Sequence, residues 1–155
     1  MKVKRILAGI TALVLCLAIS FAAIGEVKEK STEENGKIKE TVWEDENGKP
    51  AAGPDGYHAV RYTYRQDGTI EKYYDTEGKP FRVNGGYYGR RIQKDGRGNI
   101  TEIEYLDENG DRTLNRQGYG KITMNYFGFG ALRNVFYYGL TRRVYSSPVF
   151  RPSTT

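Results

Sequence analysis

Trp43, Tyr57, Tyr73, Tyr87, Tyr105 and Tyr119 recur at matched spacings, and of all the side chains in the sequence they are the ones best suited to bind something. Aromatic faces stack on sugar rings and attract cationic headgroups, so a ladder of them would suit a glycan. The same six residues would equally serve as a core. Tandem hairpins must bury something against their neighbours, and aromatic rings bury the most area. The spacing fits both uses.

Other chemistry is sparse. His58 is the only histidine, and beyond residue 25 the serines are Ser31, Ser146, Ser147 and Ser153. These build no Ser-His-Asp or Cys-His arrangement and no His/Cys metal spacing. Asp45, Asp75 and Asp107 open Asp-x-x-Gly turns, but a calcium loop needs several spaced oxygens and a closing glutamate. Capping of the turn backbone is the simpler role. No catalytic residue, metal or cofactor is assigned, and the chain reads as a non-enzyme. Basic and aromatic residues interleave over 119–145, which suits a nucleic acid, but the export signal described below argues against that partner.

The aromatics belong to a repeat. At Trp43, Tyr73 and Tyr105 an aspartate follows two residues on, a glycine five residues on, and a Gly-Tyr pair thirteen and fourteen residues on. A second half continues from each pair through Tyr62, Ile92 and Met124, then Gly68, Gly98 and Gly130, then Ile70, Ile100 and Leu132. The units lie near 43–72, 73–104 and 105–136, with a degenerate end at 137–145. On this alignment the two-residue length difference falls between Ile100 and Tyr105.

Alternating β-formers such as Val60-Arg61-Tyr62-Thr63-Tyr64, separated by turn residues, predict hairpins. Strands are expected near 57–65, 70–75, 87–94, 100–107, 119–127 and 132–139. The predicted fold is all-β: tandem hairpins forming a short open solenoid or a twisted antiparallel sheet. In doublets such as Tyr87-Tyr88 and Tyr137-Tyr138, successive side chains point to opposite faces, so one enters the core.

Residues 1–25 differ in kind. A cationic start, Lys2, Lys4 and Arg5, precedes an uncharged run from Ile6 to Gly25. That is the layout of a signal peptide, yet the run is long enough for a retained signal anchor, a hydrophobic helix through residues 6–25. Either way the remainder is expected outside the cytoplasm, extracellular or at the cell surface. The one cysteine, Cys16, lies in this segment, so the outer part holds no disulfide. Residues 26–42 are strongly polar and predict a mobile stalk, and 146–155 predict a flexible tail. All 19 acids lie in residues 26–111, whereas 112–155 hold seven Lys and Arg and no acid. This basic end suits an anionic surface such as wall polymer or lipid headgroups, although a solvated surface whose charge drifts would read the same.

Residues 67–80 (Asp-Gly-Thr-Ile-Glu-Lys-Tyr-Tyr-Asp-Thr-Glu-Gly-Lys-Pro) and 98–110 (Gly-Asn-Ile-Thr-Glu-Ile-Glu-Tyr-Leu-Asp-Glu-Asn-Gly) resemble the RHS or YD-type repeats of bacterial surface proteins. The resemblance covers roughly 43–139 and implies a β-hairpin array. Large RHS proteins wrap many repeats around a toxin, and three to four copies are too few to enclose one. A weaker resemblance is to aromatic wall- and glucan-binding repeats, which bind choline or sugar between hairpins. Here tryptophan occurs only at Trp43. These readings imply a surface repeat module binding cell-wall or extracellular glycan, or else a spacer or protein-interaction repeat without a small ligand.

Overall fold

A computed structural model describes residues 26–141 and the backbone of 143–148. The expected signal peptide or hydrophobic helix at 1–25, and the tail beyond 148, lie outside the described residues. Nine strands follow in order: β1 (Lys28–Glu34), β2 (Lys37–Glu44), β3 (Ala59–Arg65), β4 (Gly68–Tyr74), β5 (Gly89–Lys94), β6 (Ile100–Leu106), β7 (Lys121–Tyr126), β8 (Leu132–Tyr138) and β9 (Arg143–Pro148). They form a single antiparallel sheet in which each strand pairs with the next, open at β1 and β9. The all-β expectation holds, as an open sheet of hairpins. The six expected strands are β3 to β8.

Two expectations are corrected at the ends. The stretch expected as a polar stalk is instead a hairpin, β1 and β2, joined at Asn35-Gly36 with φ of 54° and 72°. Positive φ at both central residues is the type I′ geometry whose twist matches paired strands, and Asn-Gly is its preferred sequence. Strand β1 is exposed throughout. It needs no apolar face, because backbone bonds to β2 and polar pairs such as Ser31–Thr41 (2.9 Å) hold it. At the other end, residues 146–148 of the expected flexible tail belong to β9.

The two-residue length difference also falls elsewhere than expected. Strands β4 and β6 are both seven residues long. With Tyr73 matched to Tyr105, the Gly68 that starts β4 therefore corresponds to the Ile100 that starts β6. The extra residues sit in the turn. A two-residue link joins Arg65 to Gly68, whereas β5 and β6 are joined by the wider Asp95–Asn99 turn with a bulge at Gln93/Lys94. The β7–β8 turn has the wider form too, with its bulge at Asn125/Tyr126.

Hairpin is joined to hairpin by a longer double-turn loop, over 45–58, 75–88 and 107–120, built the same way each time. Asp45, Asp75 and Asp107 accept backbone N–H bonds from the residues two and four further on, at 2.8–2.9 Å. The chain then folds back onto its own strand, as Ala51 N to Trp43 O (3.0 Å), Phe81 N to Tyr73 O (2.8 Å) and Thr113 N to Tyr105 O (2.9 Å). A second turn closes with Gly53 N to Tyr57 O, Val83 N to Tyr87 O and Asn115 N to Tyr119 O, at 2.8–3.0 Å. Successive loops touch: Arg116 N donates to Gly85 O at 2.7 Å.

The sheet has two unlike faces. One carries Val60, Tyr73, Ile92, Tyr105 and Val135, all buried, and the loops fold over it. The opposite face carries cross-strand charge pairs, among them Arg61–Glu40 (2.7 Å), Lys121–Glu102 (3.2 Å) and Arg91–Glu104. The Arg61–Glu40 pair is solvated and contributes little to stability, whereas Glu104 is buried and is paired with Arg91, so these cross-strand pairs help to define register.

Loop and sheet fit each other by size. Gly53 passes so close over the Trp43 indole that an added Cβ would lie 2.6 Å from the ring. The equivalent positions, Val83 and Asn115, follow tyrosines instead of tryptophan. A large ring is thus matched with no side chain, and a smaller ring with a side chain. Gly53→Val is expected to cost about 1–3 kcal/mol by overpacking. Adding Trp43→Tyr should restore most of that loss in chemical denaturation. A double variant as unstable as the sum of the singles would refute the fit.

Candidate functional site

The six candidate aromatics are brought together, but largely against one another. Trp43 meets Tyr57 edge-on at 5.0 Å between ring centroids, and Tyr57 meets Tyr73 at 4.8 Å. Tyr73 meets Tyr87 at 6.2 Å, and Tyr87 meets Tyr105 at 4.8 Å. Tyr119 pairs with Tyr137 at 4.6 Å. Strand residues (Trp43, Tyr73, Tyr105) alternate with loop residues (Tyr57, Tyr87) along one column, and Tyr119 of the next loop and Tyr137 form a separate pair. Tyr73 and Tyr105 are buried, at 5% and 9% exposure, and the other four candidates are half-buried. Edge-to-face and tilted contacts at these distances are the favourable arrangements of aromatic rings.

The run of rings from Trp43 to Tyr105 is loosest between Tyr73 and Tyr87. Between Tyr73 and Tyr87 lies a hollow of about 210 Å³, with Asp55, Asn84 and Arg90 at its wall. Arg90 is positioned by strand β5, opposite Glu71 of β4 in the register. Its guanidinium donates to Glu71 at 2.6 Å, and the Tyr73 hydroxyl donates to the same carboxylate oxygen at 3.0 Å. Burial works against the Arg90 charge, but the neighbouring Tyr73 and Glu71 outweigh it and raise the guanidinium pKa. Arg90, Glu71 and Tyr73 form one satisfied polar group in the aromatic column. Nothing in the repeat pattern marks Arg90, because the matching positions in the other units are Val60 and Ile122.

The remaining candidates have local roles. His58 Nδ1 lies 3.1 Å from Ala51 O, within its own loop. The carboxylates Asp45, Asp75 and Asp107 are taken up by turn N–H groups. These backbone bonds, led by the one from Lys49, hold the Asp45 carboxyl below its ordinary pKa. Among the described residues no group of three or more His, Cys, Asp or Glu is arranged to hold a metal, and no helix is long and apolar enough to cross a membrane.

The column also makes the fold sensitive to alkali. Burial, aided by Asp55, pushes the Tyr57 hydroxyl up to about 12, and burial raises Tyr73 and Tyr105 in the same direction. An unfolded tyrosine ionises near pH ~10. Above that, the unfolded chain releases protons that the folded chain retains, so unfolding becomes easier. Denaturation midpoints should therefore stay level up to about pH 10 and fall between about pH 10 and 12. A flat profile across that window would contradict the burial of these hydroxyls. No known protein family, curated protein or solved structure matches this chain.

Proposed function

We propose that this chain is a non-enzymatic, exported module of tandem β-hairpin repeats that serves as a structural spacer or protein-interaction array, in the manner of the RHS or YD-type repeats it resembles. Residues 1–25 act as its signal peptide or membrane anchor. The observation that carries the reading is the consumption of the aromatic faces. Gly53 lies over the Trp43 indole, the Tyr57 ring meets it at right angles, and Tyr73 and Tyr105 are buried within the column. A sugar needs a free ring face, and these rings give theirs to the next hairpin.

A second reading rests on the gap between Tyr73 and Tyr87. There two rings, a carboxylate, an amide and a guanidinium converge on a space the size of one sugar unit. Cell-wall or extracellular glycan is the ligand this site would take.

Retention of the purified chain on insoluble peptidoglycan and on wall polysaccharide separates the two. The spacer reading expects no saturable retention, and no difference between the native chain and Tyr87→Ala. Saturable retention that Tyr87→Ala abolishes would replace it with the glycan reading. Export is checked by fractionating expressing cells, where recovery in the cytoplasm alone would contradict it.

A further inference from the structure

One hairpin tip departs from its sibling in a way that stability does not explain. The β5–β6 and β7–β8 turns share a backbone. Asp95 N donates to Asn99 O at 2.9 Å and Gly98 N to Asp95 O at 3.0 Å; Phe127 N donates to Ala131 O at 2.9 Å and Gly130 N to Phe127 O at 2.9 Å. In the first turn the Asp95 carboxylate also accepts from Arg97 N and Asn99 N, both at 2.9 Å. In the second, Phe127 stands in the place of Asp95 and Phe129 in the place of Arg97. Phenylalanine has no acceptor, so the tip forgoes the side-chain caps that stabilise its sibling.

In exchange it displays apolar surface. Phe129 is 80% exposed, more than any other large hydrophobic residue described. Its ring stacks on Phe127 at 5.3 Å with the planes 2° apart, so the pair projects as one slab. Gly128 and Gly130 flank Phe129, so its two chain neighbours add no side chain beside the ring. A lone exposed ring would be ordinary, but here two stacked rings form a contiguous apolar tip.

The base of the tip is cationic. The Arg97 guanidinium donates to Gly128 O, and the Arg133 guanidinium stands 5.6 Å from the centre of the Phe127 ring. Asp95 faces the same hollow, but its carboxylate is occupied by its own turn. From residue 112 onward the sequence contains no acid. An apolar tip above a basic collar complements one kind of surface: a negatively charged layer with an apolar interior behind it.

We propose that the Phe127–Phe129 hairpin tip docks on an anionic lipid bilayer, with Phe129 entering the boundary between headgroups and acyl chains while Arg97 and Arg133 meet lipid phosphates. Aromatic residues favour this depth, and basic residues beside them add attraction to anionic headgroups. The idea stands apart from the function proposed above. It concerns the opposite end of the hairpins from the Tyr73–Tyr87 hollow and depends on none of the column residues.

The test uses the full chain carrying Phe129→Trp, so that a local signal reads the tip however residues 1–25 behave. Vesicles of mixed phosphatidylglycerol and phosphatidylcholine should shift the introduced indole's emission to the blue, and brominated acyl chains should quench it. Both effects should exceed those of the unsubstituted chain, whose only tryptophan is Trp43. Adding Arg97→Gln and Arg133→Gln should weaken this local binding by about fivefold for each charge. An indole that keeps its aqueous emission and escapes quenching with vesicles present would overturn the proposal, and would leave a protein pocket as the tip's partner. Quenching that is equal on pure phosphatidylcholine and indifferent to the two arginines would overturn it as well.

Discussion

The structure depends on one repeated interaction: an aromatic ring from a loop set between aromatic rings from two successive hairpins. A single sheet has no second layer against which to bury a face, and among the described residues no large side chain is completely buried. The only cysteine lies in residues 1–25, so no disulfide braces the sheet. The column from Trp43 to Tyr105 supplies the missing layer. Each ring pair contributes about 0.5–1.5 kcal/mol beyond the area it buries. Because loop rings alternate with strand rings from Trp43 to Tyr105, the same contacts hold the first two loops down and tie the first three hairpins together.

This arrangement limits what the aromatics can do for a ligand. A ring packed edge-to-face against its neighbour offers little flat surface. The exception is the gap between Tyr73 and Tyr87, where Arg90 replaces the apolar residue found in the other units. The Glu71 carboxylate joins that guanidinium to the Tyr73 hydroxyl, so the charge is neutralised inside the column. The opposite face of the sheet carries the charge pairs, and the hairpin tips carry the differences between units. Work is thus divided in space, with packing on one face, register on the other and individuality at the tips.

Much of this was legible in the sequence. The Asp-x-x-Gly spacing announced turns in which aspartate caps backbone N–H groups, and the recurring aromatics announced a stack. What escaped had physical reasons. Hairpin β1–β2 carries the Asn35-Gly36 signal, but its strands are so charged that they read as a solvated stalk. Edge strands can be entirely polar because backbone pairing suffices. The length difference was misplaced because Gly98 matches Gly68 in sequence, while the strands match as Gly68 with Ile100. The fit of Gly53 to Trp43 and the pairing of Arg90 with Glu71 join residues distant in sequence, and neither shows in any single unit. The Phe127–Phe129 pair was visible as letters, yet only its exposure distinguishes it from a core element.

A column of coupled contacts differs measurably from a row of independently buried rings. A double-mutant cycle on Tyr57 and Tyr73, whose ring centres lie 4.8 Å apart, measures this directly. With Tyr57→Ala, Tyr73→Ala and the double variant compared by chemical denaturation, coupled rings give an interaction of about 0.5–1.5 kcal/mol in favour of the pair. Losses that add to within about 0.3 kcal/mol would contradict it and reduce the column to a coincidence of spacing.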